Sequence, residues 1–206
     1  MQQGIGDRPR SHRFIHFSFL KWPKIRRCPF VNVIQVKARL KQGVRDFQQQ
    51  DLTGIDLTGF DLSYSNLAGV NLSYAILKHT NLEGANLEQA NFKCADLTYG
   101  NLTAIRSTAA IFVGANLSYA NLSGADLNAC NFKKANLIRA NLYRALLTNT
   151  DFTQANLTET NLAEADLNHT ILYDTNLTRS DLERVDLSQA ILDKVVLADG
   201  TMPRED

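Results

Sequence analysis

Nothing in this chain announces a catalytic centre. There is no glycine-rich loop to cradle a phosphate and no Ser, His and Asp set at plausible spacing, and the four His residues (His12, His16, His79 and His169) are scattered. Cysteine is scarce. Cys28, Cys94 and Cys130 do not carry the spacing of metal ligands, so free thiols in a reducing compartment are expected. No stretch approaches the roughly 18 apolar residues that would cross a bilayer. The short apolar run Phe14–Leu20 is broken by His16 and Ser18 and is followed by no small-residue cleavage site, which argues against a secretory signal.

Strong charge of one sign is missing from the whole, though not from its parts. Residues 1–46 hold 11 Lys and Arg against Asp7 and Asp46, a balance of +9, while residues 47–206 hold 11 against 19 acidic residues, a balance of −8. The two parts therefore face different partners.

What is present in abundance is a period of five. Typical units read Ala-Asn-Leu-Ser-Tyr (115–119), Ala-Asp-Leu-Asn-Ala (125–129) and Ala-Asn-Leu-Ile-Arg (135–139). Stepping by five from Leu52 to Leu197, the central place is Leu or Phe at 29 of 30 sites, with Ser107 the exception. On an α-helix such residues would lie roughly 140° apart and smear around the cylinder; on a continuous strand they would alternate between faces. The remaining way to turn them all inward is a coil with a corner after every unit. The Phe residues count the sides: Phe92, Phe112, Phe132 and Phe152 are each 20 residues apart, so four sides per coil stack them on one inner edge.

Two further places agree. The residue two before each centre is Ala at 14 of 30 sites and Thr, Ser, Gly, Cys or Val at 12 more, as a second, cramped inward position requires. The residue just before the centre is Asp or Asn at 23 of 30 sites, and Asn81, Asn101, Asn121, Asn141 and Asn161 fall in one column. Short amide and carboxylate groups bond nearby backbone at corners, and stacked Asn residues can bond one another.

These units resemble the pentapeptide-repeat family, whose motif is Ala-(Asp/Asn)-Leu-X-X, and the chain looks like its cyanobacterial members. The resemblance covers about three quarters of the chain. It implies an all-β fold: a right-handed quadrilateral β-helix, a solenoid of four pentapeptides per coil and about 7–8 coils, roughly 37 Å long at ~4.8 Å per coil.

The expected organisation is a basic, disordered leader over 1–30, an N-terminal capping helix over 31–44, the β-helix over 45–197 and a short tail over 198–206. In the cap, Val33, Val36 and Leu40 alternate with Lys37, Arg39 and Lys41, and Gly43 suits the residue after a helix. Bulky Ile55 and Phe60 in the first coil read as padding beneath it. At Ile105-Arg106-Ser107 the large and small inward residues exchange places, either as a size swap or as a bulge that presents Arg106.

A filled rod leaves no pocket, so neither catalysis nor a metal or cofactor is expected, and function falls to the outer faces. Candidate partner-binding residues are Arg106, Lys133, Lys134, Arg139 and Arg144 with Tyr99 and Tyr119. Tyr99, Tyr119, Arg139 and Arg179 share one column. Apolar Ile171, Ile191 and Val196 near the end suggest a contact, with the tail folding back or a weak end-to-end dimer forming; otherwise a monomer is expected.

The reading is a cytoplasmic, non-enzymatic scaffold or regulator that binds a protein of unknown identity through an outer face, with periplasm or lumen as the lesser alternatives. Direct nucleic-acid binding is not expected. The alternative is a DNA-mimic inhibitor or protector of DNA gyrase, which the resemblance to the family's quinolone-resistance branch and the −8 rod allow. Against it stand the basic residues over 133–144 and the +9 leader. Ice binding would need ordered Thr ranks, which the outward columns lack.

Overall fold

A computed structural model describes residues 31–201. The basic leader expected over 1–30, and the tail beyond Thr201, lie outside the described residues. The described chain is one short helix followed by a right-handed square β-helix. We number the four walls by their first central residue: wall 1 from Phe47, wall 2 from Leu52, wall 3 from Leu57 and wall 4 from Leu62.

Parallel bridges join each Asp or Asn place to the residue 20 positions on, beginning with Asp46 to Asn66 and ending with Asn176 to Val196. No bridge joins Asp166 to Asp186, so wall 1 loosens in the last coil. Units before the last coil repeat one set of bonds. Leu52 N–H donates to the Asn71 carbonyl at 2.8 Å, Gly54 N–H to Ser73 at 2.9 Å, and Asn71 N–H to Gln50 at 2.9 Å. The corner is a β-turn, for example Ile55 N–H to the Leu52 carbonyl at 3.2 Å.

The third residue of that turn takes a positive φ at every corner from Gln49 to Lys194 except Gln189, and at 23 of these corners it is not glycine. A left-handed conformation costs an L residue on the order of 1 kcal/mol. The pairing above and below the corner overrides that cost, which is why Tyr, Arg, Lys and Gln stand where a turn rule would ask for glycine.

The core follows the two inward places. Phe92, Phe112, Phe132 and Phe152 are fully buried and stack with centroids 4.9, 4.6 and 5.1 Å apart. Thr is tolerated in the second inward place because its hydroxyl finds a carbonyl 23 residues earlier: Thr80 donates to Leu57 at 2.9 Å and Thr150 to Leu127 at 2.8 Å. Ser65 and Ser180 hydroxyls have no such partner.

Outward, each Asp or Asn oxygen accepts the amide two residues on, as Asp51 does from Thr53 at 3.1 Å. Asn adds a donor to the coil before it: Asn71 to Asp51 at 3.3 Å, Asn81 to Asp61 at 3.2 Å, Asn101 to Asn81 at 2.9 Å. The first coil has no coil before it to donate to, and there Asp46, Asp51, Asp56 and Asp61 fill the place on all four walls.

The exceptional unit is a size swap. Ile105 and Ser107 are both fully buried, and Arg106 stays in the ladder, bridged to Asn86 and Asp126, so there is no bulge. Ser107 Oγ donates to the Asp126 carbonyl at 3.0 Å, and Cys130 Sγ donates to the Ser107 carbonyl at 2.9 Å.

Helix α1, Val33–Lys41, covers the N-terminal end. Asn32 and Gln35 form a reciprocal capping box at 3.0 and 3.1 Å. Gly43, at φ 77°, closes the helix by donating to Leu40 at 2.9 Å. Val36 is buried, and Leu40, Ile55 and Phe60 pack against the core. Val33, expected on the same face as Val36 and Leu40, instead points to solvent. Arg39 braces the junction, its guanidinium 4.5 Å from the Phe47 ring centre.

Candidate functional site

Outside the core, side chains stack with the same step of 20, and wall 3 with its two corners carries Tyr74, His79, Tyr99 and Tyr119, while Tyr64, Tyr143 and Tyr173 lie on other walls. On the corner after wall 3, His79, Tyr99 and Tyr119 form one column, their rings parallel with centroids 5.1 and 4.8 Å apart. Arg139 continues it, with the guanidinium 5.8 Å from the Tyr119 ring centre and an N–H donated to the Tyr119 hydroxyl at 3.2 Å. Its Nε donates to Glu159 at 2.6 Å, and Arg179 reaches the same carboxylate at 3.5 Å. The bond from Arg139 holds the Glu159 carboxyl below the usual glutamate range, and the bonds to Glu159 and Tyr119 raise the Arg139 guanidinium.

Across the wall, the preceding corner presents Tyr74, Cys94, Gly114 and Lys134 in turn. Between the corners lie exposed Ile76 and a floor of polar side chains already bonded to one another. Lys78 pairs with Asp96 at 3.2 Å, Thr98 donates to Asp96, and Ser118 Oγ donates to Asn116 at 2.7 Å. Burial pushes the Asp96 carboxyl up, yet the bonds from Thr98 and Lys78 together outweigh it and hold the group below its ordinary value. A partner covering this floor would strip water from few unpaired groups. The Tyr99 and Tyr119 rings, fixed by stacking, would lose little rotamer freedom on contact.

Of the seven residues expected to form a partner surface, Tyr99, Tyr119 and Arg139 come together on one corner of wall 3 and Lys134 stands on the other. Lys133 lies on wall 2, ion-paired with Asp151 at 3.0 Å, and Arg106 lies on wall 1. Arg144 sits on the corner after wall 4, donating to Glu164 at 2.7 Å, with Tyr143 and Arg184 on the same carboxylate. Lys133, Lys134, Arg139 and Arg144, expected to span adjacent sides of one or two coils, follow one another around a single coil. Five residues of sequence carry the chain around a corner, so these cations face different directions, and three of them meet a carboxylate in a neighbouring coil.

His79, Tyr74 and Ile76 belong with Tyr99 and Tyr119, although sequence reasoning did not group them. Subtracting 20 from Tyr99 finds His79.

Ile171 and Ile191 are bridged on wall 2 and Val196 lies on wall 3, beside the last coil rather than across its opening. The opening itself is lined by half-buried Leu182, Val185, Leu187, Ala190, Leu192 and Leu197.

An open cleft of about 440 Å³ separates α1 from the first coil, with Leu40 and Phe60 beneath Lys37, Lys41 and Arg45. Arg45 is tied to Asp61 at 3.2 Å. Among the described residues no group of three or more His, Cys, Asp or Glu could hold a metal ion, and no helix is long and apolar enough to cross a membrane.

Comparison with known proteins agrees with this architecture. No curated protein sequence matches. Among solved structures, a trypsin-treated form of QnrB1, a plasmid-mediated fluoroquinolone resistance protein, matches at 22% identity over 75% of this chain and 80% of that one, with a TM-score of 0.60. HetL of the cyanobacterium Nostoc sp. strain PCC 7120, involved in heterocyst differentiation regulation, matches at 25% identity over 84% of this chain and all of that one, TM-score 0.29. A pentapeptide repeat protein of the Arabidopsis thaliana thylakoid lumen matches at 35% identity over 60% and 71%, TM-score 0.26. The model of the family described as pentapeptide repeats matches in eight copies that together span residues 46–106 and 110–184, the gap falling on the Ser107 unit. The chain belongs to the pentapeptide-repeat family.

Proposed function

We propose that this protein is a non-enzymatic scaffold that docks a partner protein on wall 3. The observation that carries the reading is the gathering of Tyr74, Ile76, Tyr99 and Tyr119, all exposed, on one wall whose polar floor is internally bonded. Tyr is enriched at protein interfaces because its ring supplies rigid contact area and its hydroxyl stays wet or bonded. Lys134 and Arg139 at the C-terminal end of the patch would meet acidic groups of that partner. Exposed Cys94 on this wall is compatible with a reducing compartment such as the cytoplasm.

Affinity capture from the native cell with the whole chain, set beside a Tyr74→Glu/Ile76→Glu variant and a wall 1 variant, Leu146→Glu, tests it. The expected result is a partner lost with the wall 3 variant and kept with the wall 1 variant, followed by direct binding between purified proteins. Equal loss with both, or with neither, contradicts wall 3.

The second reading, a gyrase-directed DNA mimic, draws on the −8 balance of residues 47–206 and the likeness to QnrB1, which at 22% identity speaks to fold. A mimic needs carboxylates in continuous rows. Here many carboxylates are neutralised by a cation in a neighbouring coil, as Asp96, Asp151, Glu159 and Glu164 are. Unchanged gyrase supercoiling in the presence of micromolar protein is the expected result; inhibition would favour the mimic.

A further inference from the structure

We infer that copies of this protein associate head to tail, the outer face of helix α1 of one copy seating on the open C-terminal rim of the next. The two ends differ in kind. At the N-terminal end α1 closes the core, yet its outward stripe is itself partly apolar: Ile34 is 74% exposed and Val33 38%. Lys37 and Lys41 lie on that stripe at helical spacing from Ile34, and neither has an ion-pair partner among the described residues.

At the C-terminal end nothing described closes the core. Leu182, Leu187, Leu192 and Leu197 are only half buried where their counterparts one coil earlier are almost fully buried. Around them stand Asp181, Asp186, Asp193 and Asp199, also without ion-pair partners among the described residues, and the coil 181–200 holds five acidic residues against Arg184 and Lys194. Residues 31–45 hold four basic residues and no acidic one.

Charge selects the polarity of contact. Two rims facing each other would set acidic rings together, and two caps would oppose cations. Cap on rim brings opposite signs together around apolar centres. The contact is heterologous, so it does not close on itself and can propagate as a filament. The outer walls remain free, and the wall 3 surface would then recur along the assembly. This inference stands independently of what wall 3 binds.

Sedimentation velocity and light scattering of the whole chain across a concentration series test it. At about 0.02 M salt, where charges still attract over ~20 Å, species larger than a dimer should grow with concentration, and at about 0.5 M salt they should shrink. Lys37→Glu/Lys41→Glu and Asp186→Lys/Asp193→Lys should each be monomeric, with unchanged circular dichroism because all four sites are exposed. Mixed one to one, the two variants should assemble again, since each acidic cap then meets a basic rim and each basic cap an acidic one.

A wild-type chain that stays monomeric throughout overturns the inference. A species that stops at a dimer and is indifferent to the cap substitutions also overturns it, in favour of rim-to-rim contact.

Discussion

The exchange of sizes at Ile105 and Ser107 can be tested by completing or undoing it. Ile105→Ala alone removes most of a fully buried side chain beside an already small centre, and a large-to-small change of this kind costs about 2–5 kcal/mol. Ser107→Leu alone forces a large side chain into space that Ile105 already fills. It also displaces the hydroxyl bonded to Asp126, and overpacking of this sort costs about 1–3 kcal/mol. The double variant restores the ordinary Ala and Leu order of the other coils. It should lie within about 1.5 kcal/mol of the starting protein, which makes the coupling between the two sites at least about 1.5 kcal/mol, and about 4 kcal/mol at the middle of those ranges.

Scanning calorimetry of the four proteins is the assay, with ~1 kcal/mol expected to move Tm by about 2–4 °C in a chain of this length. Ile105→Ala should therefore fall by roughly 4–20 °C and the double variant by no more than about 6 °C. Additive losses would refute the shared-space account, because they would mean the two side chains do not compete for one volume.

Other expectations follow from the corners and the ladders. Ala104 holds φ 52°, so Ala104→Gly should raise Tm slightly, whereas Gly124→Ala, at φ 64° with open space around it, should cost about 1 kcal/mol; a loss for Ala104→Gly together with no loss for Gly124→Ala would contradict the left-handed corner. Glu159 and Glu164 are held below the ordinary glutamate range chiefly by bonds from Arg139 and Arg144. Their contribution to stability is present above the unfolded value of about 4.3 and is lost as pH falls through the lower folded one. A Glu159→Gln/Glu164→Gln variant should show a shallower fall of Tm on acidification, and an unchanged slope would sink that assignment. Burial pushes the Cys130 thiol up to about 12, while Cys94 is exposed. Peptide mapping after brief alkylation at neutral pH should find Cys94 modified and Cys130 untouched until denaturant is added.

The fold was legible because its core is written in a strict period, and the Phe residues 20 apart counted the sides of the coil. The left-handed corners were not legible. Tyr, Arg, Lys and Gln carry no turn signal of their own there, and only pairing with the coils on either side holds them in place. The directions in which the cations face were not legible for a related reason. Lys134, Arg139 and Arg144 are close in sequence, but each step of five rounds a corner, while residues 20 apart touch. Tyr99, Tyr119 and Arg139 were grouped correctly because they were compared by column. His79, Ile76 and Tyr74 needed the same step of 20, plus the knowledge that wall 3 is shared by two corners. The half-buried rim was not legible from Ile171, Ile191 and Val196, which stand beside the last coil, because the apolar residues that line it are ordinary inward residues of the repeat.

The most direct measurement is a set of ring-to-ring nuclear Overhauser contacts in protein labelled only at Phe. The square coil predicts contacts from Phe92 to Phe112, Phe112 to Phe132 and Phe132 to Phe152, whose ring centres are 4.6–5.1 Å apart. Rings that show no mutual contact would place the Phe residues on different walls and remove both the 20-residue step and the wall 3 surface built upon it.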